Sequence, residues 1–99
     1  MSKLKADNTI HIQFITSVSC PECFQAKKIL KEAKVKYPKL MVKEYDVLGL
    51  KGLELAVKYG IMANPGIIIN DELFSVGRLD RKKLFGKISK LLTMQNKFI

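Results

Sequence analysis

Apolar residues along this chain fall into two rhythms. Ile10, Ile12, Phe14 and Ile15 alternate with His11 and Gln13 and then merge, the spacing of a strand buried on at least one face. From Pro21 to about Lys36 the period lengthens. Cys23, Ala26, Leu30 and Ala33 share one stripe with Ile29 beside it, while Lys27, Lys28, Lys31 and Lys34 lie mostly opposite. This predicts an amphipathic helix. Pro21 suits its first turn, where a missing N–H has no intrahelical partner to lose. Tyr37-Pro38 ends it, because a residue before proline is pushed out of the helical region. Leu40 to Val47 alternates again and reads as a second strand, less fully buried than the first. Leu50 to Ile61 returns to helical spacing, with Leu50, Leu53, Val57 and Ile61 on one face and Gly60 marking the C-terminal region. Met62 to Gly66 is a breaker segment. Ile67–Ile69 and Leu73–Val76 read as short strands joined by a hairpin turn at Asn70-Asp71-Glu72. Asp80 is the expected N-cap of a last helix running to about Met94, with Leu84, Ile88 and Leu91 or Leu92 inward. Residues 1–8 and 95–99 read as flexible ends.

The element order is strand, helix, strand, helix, strand, strand, helix. The first three form a βαβ unit, so their strands should be parallel with a right-handed crossover. The last two strands should be antiparallel. The expected fold class is therefore α/β: a four-stranded mixed sheet flanked by three helices. Ninety-nine residues make one domain of this kind, and there is no repeat, linker or low-complexity segment.

Composition narrows the chemistry. A hydrophobic fraction of 47% with 27% charged residues is ordinary globular balance. The charge is less ordinary, with 18 Lys+Arg against 9 Asp+Glu for a net +9. The lysines are spread over all three helices rather than gathered in a stripe with interleaved aromatics, so nucleic acid is not the expected partner. Arg78, Arg81, Lys82 and Lys83 gather where positive charge opposes the helix dipole. A site for an anionic ligand or acidic partner is one reading of them; a solvated surface is the favoured one. His11, flanked by apolar residues, reads as structural. No apolar run is long enough for a membrane span. The polar N-terminus lacks the pattern of a signal peptide, so a reducing cytoplasm is the expected compartment. Two cysteines and one histidine cannot build a disulfide scaffold or supply four zinc ligands. In a reducing compartment a close cysteine pair is more often catalytic or metal-binding than structural.

The pair Cys20-Pro21-Glu22-Cys23 sits directly after the first strand and opens the first helix. Cys20 then lies at or just before the helix N-terminus, with Cys23 one turn inside. Unpaired N–H groups and the helix dipole favour a negative sulfur at Cys20, and a thiolate is the attacking species in disulfide exchange. Cys20 is the candidate nucleophile and Cys23 the candidate resolving thiol. Pro21 stiffens the turn between them, and the charge of Glu22 partly opposes thiolate formation.

With this motif the chain resembles the thioredoxin superfamily, specifically its small thioredoxin-like and glutaredoxin-like members. Proline in the second position of the motif is similar to glutaredoxins. Three features carry the resemblance over Ile10 to Met94: the cysteine pair, Asn64-Pro65-Gly66 ahead of the third strand, and Gly77 after the fourth. The resemblance implies a cis-proline at Pro65 facing the cysteines, with the backbone of Asn64 turned outward to pair with a substrate. It also implies a substrate-facing Gly77. No Trp precedes the cysteines, and the buried Asp of thioredoxins falls at about Phe14. Gly77-Arg78-Leu79-Asp80 is only loosely similar to the Gly-Asp motif with which glutaredoxins bind glutathione.

The leading expectation is a thiol–disulfide oxidoreductase that reduces protein disulfides through a Cys20/Cys23 cycle. It would need no cofactor beyond that disulfide. A reductase or glutathione would be the electron donor, and the protein would act as a monomer. Two alternatives stay open. One is a module binding soft metals such as Cu or Zn through the same pair, although such domains follow a βαββαβ order. The other is a non-catalytic adaptor.

Overall fold

The computed structural model describes residues 9–97. Its elements are β1 (Ile10–Thr16), α1 (Pro21–Lys36), β2 (Leu40–Asp46), α2 (Leu50–Tyr59), β3 (Gly66–Ile69), β4 (Glu72–Val76) and α3 (Arg81–Lys97). The expected order is therefore present. It differs from the βαββαβ order of the metal-binding alternative. The sheet runs β2-β1-β3-β4. β1 pairs in parallel with β2 from Ile10↔Leu40 to Thr16↔Asp46. It pairs antiparallel with β3, with Ile15 opposite Gly66, and β3 pairs antiparallel with β4. Asn70 and Asp71 form the two-residue hairpin turn, both at positive φ (49° and 65°). Asn and Asp tolerate that conformation better than other side-chain-bearing residues. Glu72, expected in the turn, is already the first residue of β4.

Alternation along the strands divides the core in two. Ile10, Ile12, Phe14, Leu40, Ile67 and Ile69 point to one face, where they meet Cys23, Ala26, Leu30 and Ala33 of α1 and Leu84 and Ile88 of α3. The apolar stripe expected for α1 is the one buried. Ile15 and Ile68 point to the other face and meet Leu55 and Ala56 of α2, together with Ile61. Asp80 caps α3 as expected, its Oδ1 accepting the Lys83 amide at 3.0 Å. α3 continues to Lys97, past the expected end at Met94, and the rest of the expected flexible ends, residues 1–8 and 98–99, lies outside the described residues.

The apolar face that helical spacing gives α2 is not the one it buries. Leu50, Leu53 and Val57 are exposed, and the residues it buries are Gly52, Leu55 and Ala56; of the four residues on that face only Ile61 is buried. The helix is apolar on two sides, so periodicity alone could not say which side packs. Gly52 decides it. A Cβ there would collide with the backbone carbonyl of Asp46, so the helix approaches the end of β2 more closely than any other residue would permit. α2 ends at Tyr59, with Gly60 left-handed at φ 66° as its C-cap.

Arg81 is also placed where local sequence could not show. Its guanidinium donates two hydrogen bonds to the Glu32 carboxylate, at 3.1 Å and 2.6 Å, and stacks on Phe85 at 4.4 Å from the ring centroid. α1 and α3 are thereby tied together. The guanidinium hydrogen bonds hold the Glu32 carboxyl below its ordinary range. Within the basic cluster, Arg81 is an internal partner rather than a free cation.

Two glycines test this packing. Gly52→Ala is expected to destabilise the fold by about 1–3 kcal/mol, because backbone must move to admit a methyl group. Gly86, inside α3, has open space around its Cα, so Gly86→Ala should stabilise by about 0.5–1 kcal/mol through helix propensity. Urea denaturation midpoints of the two variants should therefore move in opposite directions.

Candidate active site

The parallel pairing of β1 and β2 puts both C-terminal ends at one end of the sheet. β1 leaves that end at Thr16, and the loop through Ser17, Val18 and Ser19 leads into α1. Ser19 takes a left-handed conformation at φ 55° and turns the chain so that Cys20 becomes the N-cap of α1. No sequence signal marked Ser19 for this role.

Cys20 and Cys23 form a disulfide with Cα atoms 5.2 Å apart. The Cys20 Sγ accepts the Cys23 amide at 3.1 Å. The Cys20 carbonyl accepts the Phe24 amide at 3.2 Å. The N-cap sulfur thus takes the place a serine or aspartate oxygen usually holds. The Cys23 amide already aimed at that sulfur, together with the helix dipole, favours negative charge on it once the disulfide opens.

The two sulfurs live in different surroundings. Cys20 is partly exposed. Cys23 is only 4% exposed, within the apolar cluster that includes Ile12, Phe14, Ala26 and Ile67. Among the described residues no charged or polar residue is buried, so no buried carboxylate stands behind Cys23. Pro21 and Glu22 are exposed in the first turn. Three apolar side chains also stand open near this end: Val18, Phe24 and Met62, the last 92% exposed.

The other site residues arrive by a separate route. β3 runs antiparallel to β1, so its start lies at the dithiol end. The Asn64–Pro65 bond there is cis, with Pro65 buried and Asn64 half-buried. Gly77, at φ 88°, follows β4 and donates its amide to the Pro65 carbonyl at 2.8 Å. One end of the sheet therefore gathers Cys20, Pro21, Cys23, Asn64, Pro65 and Gly77. Among the described residues no group of three or more His, Cys, Asp and Glu side chains could hold a metal ion.

Backbone conformation at this end can be tested directly. Gly77→Ala places a side chain at positive φ and should destabilise by about 1–2 kcal/mol, measured by urea denaturation. Ser19→Gly relieves the same conformation and should be neutral or stabilise by up to about 1 kcal/mol.

Comparison with known proteins agrees with this geometry. A family model described as "Thioredoxin domain" matches residues 9–90. The thioredoxin of Methanocaldococcus jannaschii is 34% identical over 92 residues, covering 93% of this chain and all of that protein. A probable thioredoxin of Methanothermobacter thermautotrophicus is 36% identical over 81 residues, 81% of this chain and 93% of its own length. Among solved structures, oxidised thioredoxin O2 from Arabidopsis thaliana superposes with a TM-score of 0.69 at 19% identity, covering 92% of this chain and 82% of that chain. With most of its length matched to such relatives, and a Cys-x-x-Cys disulfide at the head of its first helix, the chain belongs to the thioredoxin family and is a thiol–disulfide oxidoreductase.

Proposed function

We propose that the protein reduces disulfides in other proteins, with Cys20 as the attacking thiolate and Cys23 as the resolving thiol. The observation that carries this assignment is the asymmetry of the pair. Cys20 is reachable and hydrogen-bonded at a helix N-terminus, whereas Cys23 is buried. In the first step the Cys20 thiolate attacks one sulfur of the substrate disulfide. A mixed disulfide forms, and the other substrate sulfur leaves as a thiolate that takes up a proton. In the second step the Cys23 thiolate attacks the Cys20 Sγ. The mixed disulfide breaks, the second substrate thiol departs, and the Cys20–Cys23 disulfide closes. Two electrons have passed from the protein to the substrate.

Positioning falls to the neighbouring loops. Pro21 stiffens the turn carrying Cys20. Pro65 has no N–H of its own to satisfy, and Asn64 offers backbone groups to an extended substrate segment. Gly77 braces Pro65 through its amide and leaves room for that segment. A reductase or glutathione returns the electrons. No other cofactor enters the cycle. A monomer acting in a reducing cytoplasm fits this role, and among the described residues no helix is long and apolar enough to cross a membrane.

The assignment makes opposite demands on the two cysteines. Cys20→Ser should lower reduction of a protein disulfide to the uncatalysed background. Cys23→Ser should retain the first step and accumulate a covalent mixed disulfide, visible by mass spectrometry and released by dithiothreitol. Retained turnover in Cys20→Ser would overturn the assignment. For the electron donor, the loosely matched Gly77-Arg78-Leu79-Asp80 segment leads us to expect faster re-reduction by an NADPH-dependent thioredoxin reductase than by glutathione, followed as NADPH consumption.

A further inference from the structure

α2 has two apolar faces, and the fold covers one. Leu55 and Ala56 pack on the sheet, while Leu50 is 90%, Val57 74% and Leu53 53% exposed. Leu48, in the turn before the helix, is exposed as well. Single exposed apolar residues are ordinary; a contiguous row on one element marks an interaction surface.

The row begins at the dithiol end. The Val47 amide donates to the Thr16 carbonyl at 2.8 Å, which ties the turn before α2 to the last residue of β1, just ahead of the loop that carries Val18 to Cys20. Leu48 and Leu50 therefore stand exposed at the end of the sheet where Val18 and Met62 are also exposed.

Charge identifies the partner. The chain carries +9. Arg78, Lys82 and Lys83 stand exposed around the start of α3, at the same end of the sheet, and none of them has an ion-pair partner among the described residues. Carboxylates are their natural counter-charge. A second copy of this chain brings the same cations and the same net charge, so it repels. α2 covers one face of the sheet and α3 the other. A flat anionic bilayer laid on the α2 row would leave Arg78, Lys82 and Lys83 behind the sheet. A folded protein reaching over the dithiol end can meet both.

We propose that Leu50, Leu53 and Val57 form a docking face for disulfide-containing substrate proteins whose surface combines apolar side chains with carboxylates, the latter directed to Arg78, Lys82 and Lys83. The proposal rests on the reading of Cys20–Cys23 as a reductant of protein disulfides. It makes the enzyme selective for large acidic substrates over small uncharged disulfides. The chemistry at the sulfurs is unchanged: one substrate disulfide becomes two thiols as the dithiol closes.

The test uses pre-reduced protein, freed of added thiol and mixed with either insulin, an acidic disulfide protein, or hydroxyethyl disulfide, which is small and uncharged. Leu50→Ser/Val57→Ser should lower the second-order rate on insulin about tenfold and leave the rate on hydroxyethyl disulfide unchanged. Both side chains are exposed, so the fold should be retained, as a thermal melt will show. Lys82→Glu/Lys83→Glu should slow insulin reduction and flatten its salt dependence, again sparing the small disulfide. Wild-type insulin rates in Leu50→Ser/Val57→Ser, or equal slowing of both substrates, overturn the docking face. So does a wild-type dimer that this variant dissociates, or wild-type binding to phosphatidylglycerol vesicles that it abolishes. Failure of the wild-type protein to reduce either disulfide overturns the reading of the dithiol, and the docking face falls with it.

Discussion

The central strand β1 is the constraint on which the rest depends. It lies between β2 and β3 and has partners along both edges. Both of its faces are covered, with Ile10, Ile12 and Phe14 on one side and Ile15 on the other. Shifting its register by one residue would turn Ile12 and Phe14 out of the main core. Its exit point is equally constrained, because the parallel pairing with β2 fixes which end of the sheet receives Cys20. The antiparallel pairing with β3 brings Pro65 to that same end.

Chemistry at this end follows from unequal burial. Cys20 caps α1, and its sulfur accepts the Cys23 amide. Cys23 sits one turn deeper against Phe14 and Ile67. A thiolate is favoured where N–H groups face it and disfavoured among apolar side chains. This contrast between two sulfurs on one helix turn supports the proposed order, with Cys20 attacking and Cys23 resolving. Phe14 contributes to the contrast. It packs in the same apolar cluster as Cys23, and among the described residues no charged or polar side chain is buried beside that thiol.

Much of this was legible in the residues. The alternation of Ile10 to Ile15, the lengthened period from Cys23 to Ala33 and the Asp80 cap are local patterns, and the local backbone obeyed them. The cysteine spacing with Pro21 announced a helix start carrying redox chemistry. Ser19 carried no such mark, since only the need to turn from β1 into α1 makes it left-handed. The ion pair of Arg81 with Glu32 joins residues 49 positions apart, and a reading of the basic cluster along the chain could not find it.

α2 draws the boundary between what sequence and tertiary structure decide. Its residues determined that a helix forms and about where it ends, because helical period and the Gly60 cap act over a few neighbouring residues. They did not determine which side faces inward. Leu50, Leu53 and Val57 are as apolar as Leu55, Ala56 and Ile61, so the hydrophobic effect, which has no direction of its own, favours neither. Steric fit made the choice. Gly52 alone can approach the Asp46 carbonyl, and that contact rotates the leucine row outward, where only the assembled sheet sets its Leu50 end at the end of the sheet that carries the dithiol.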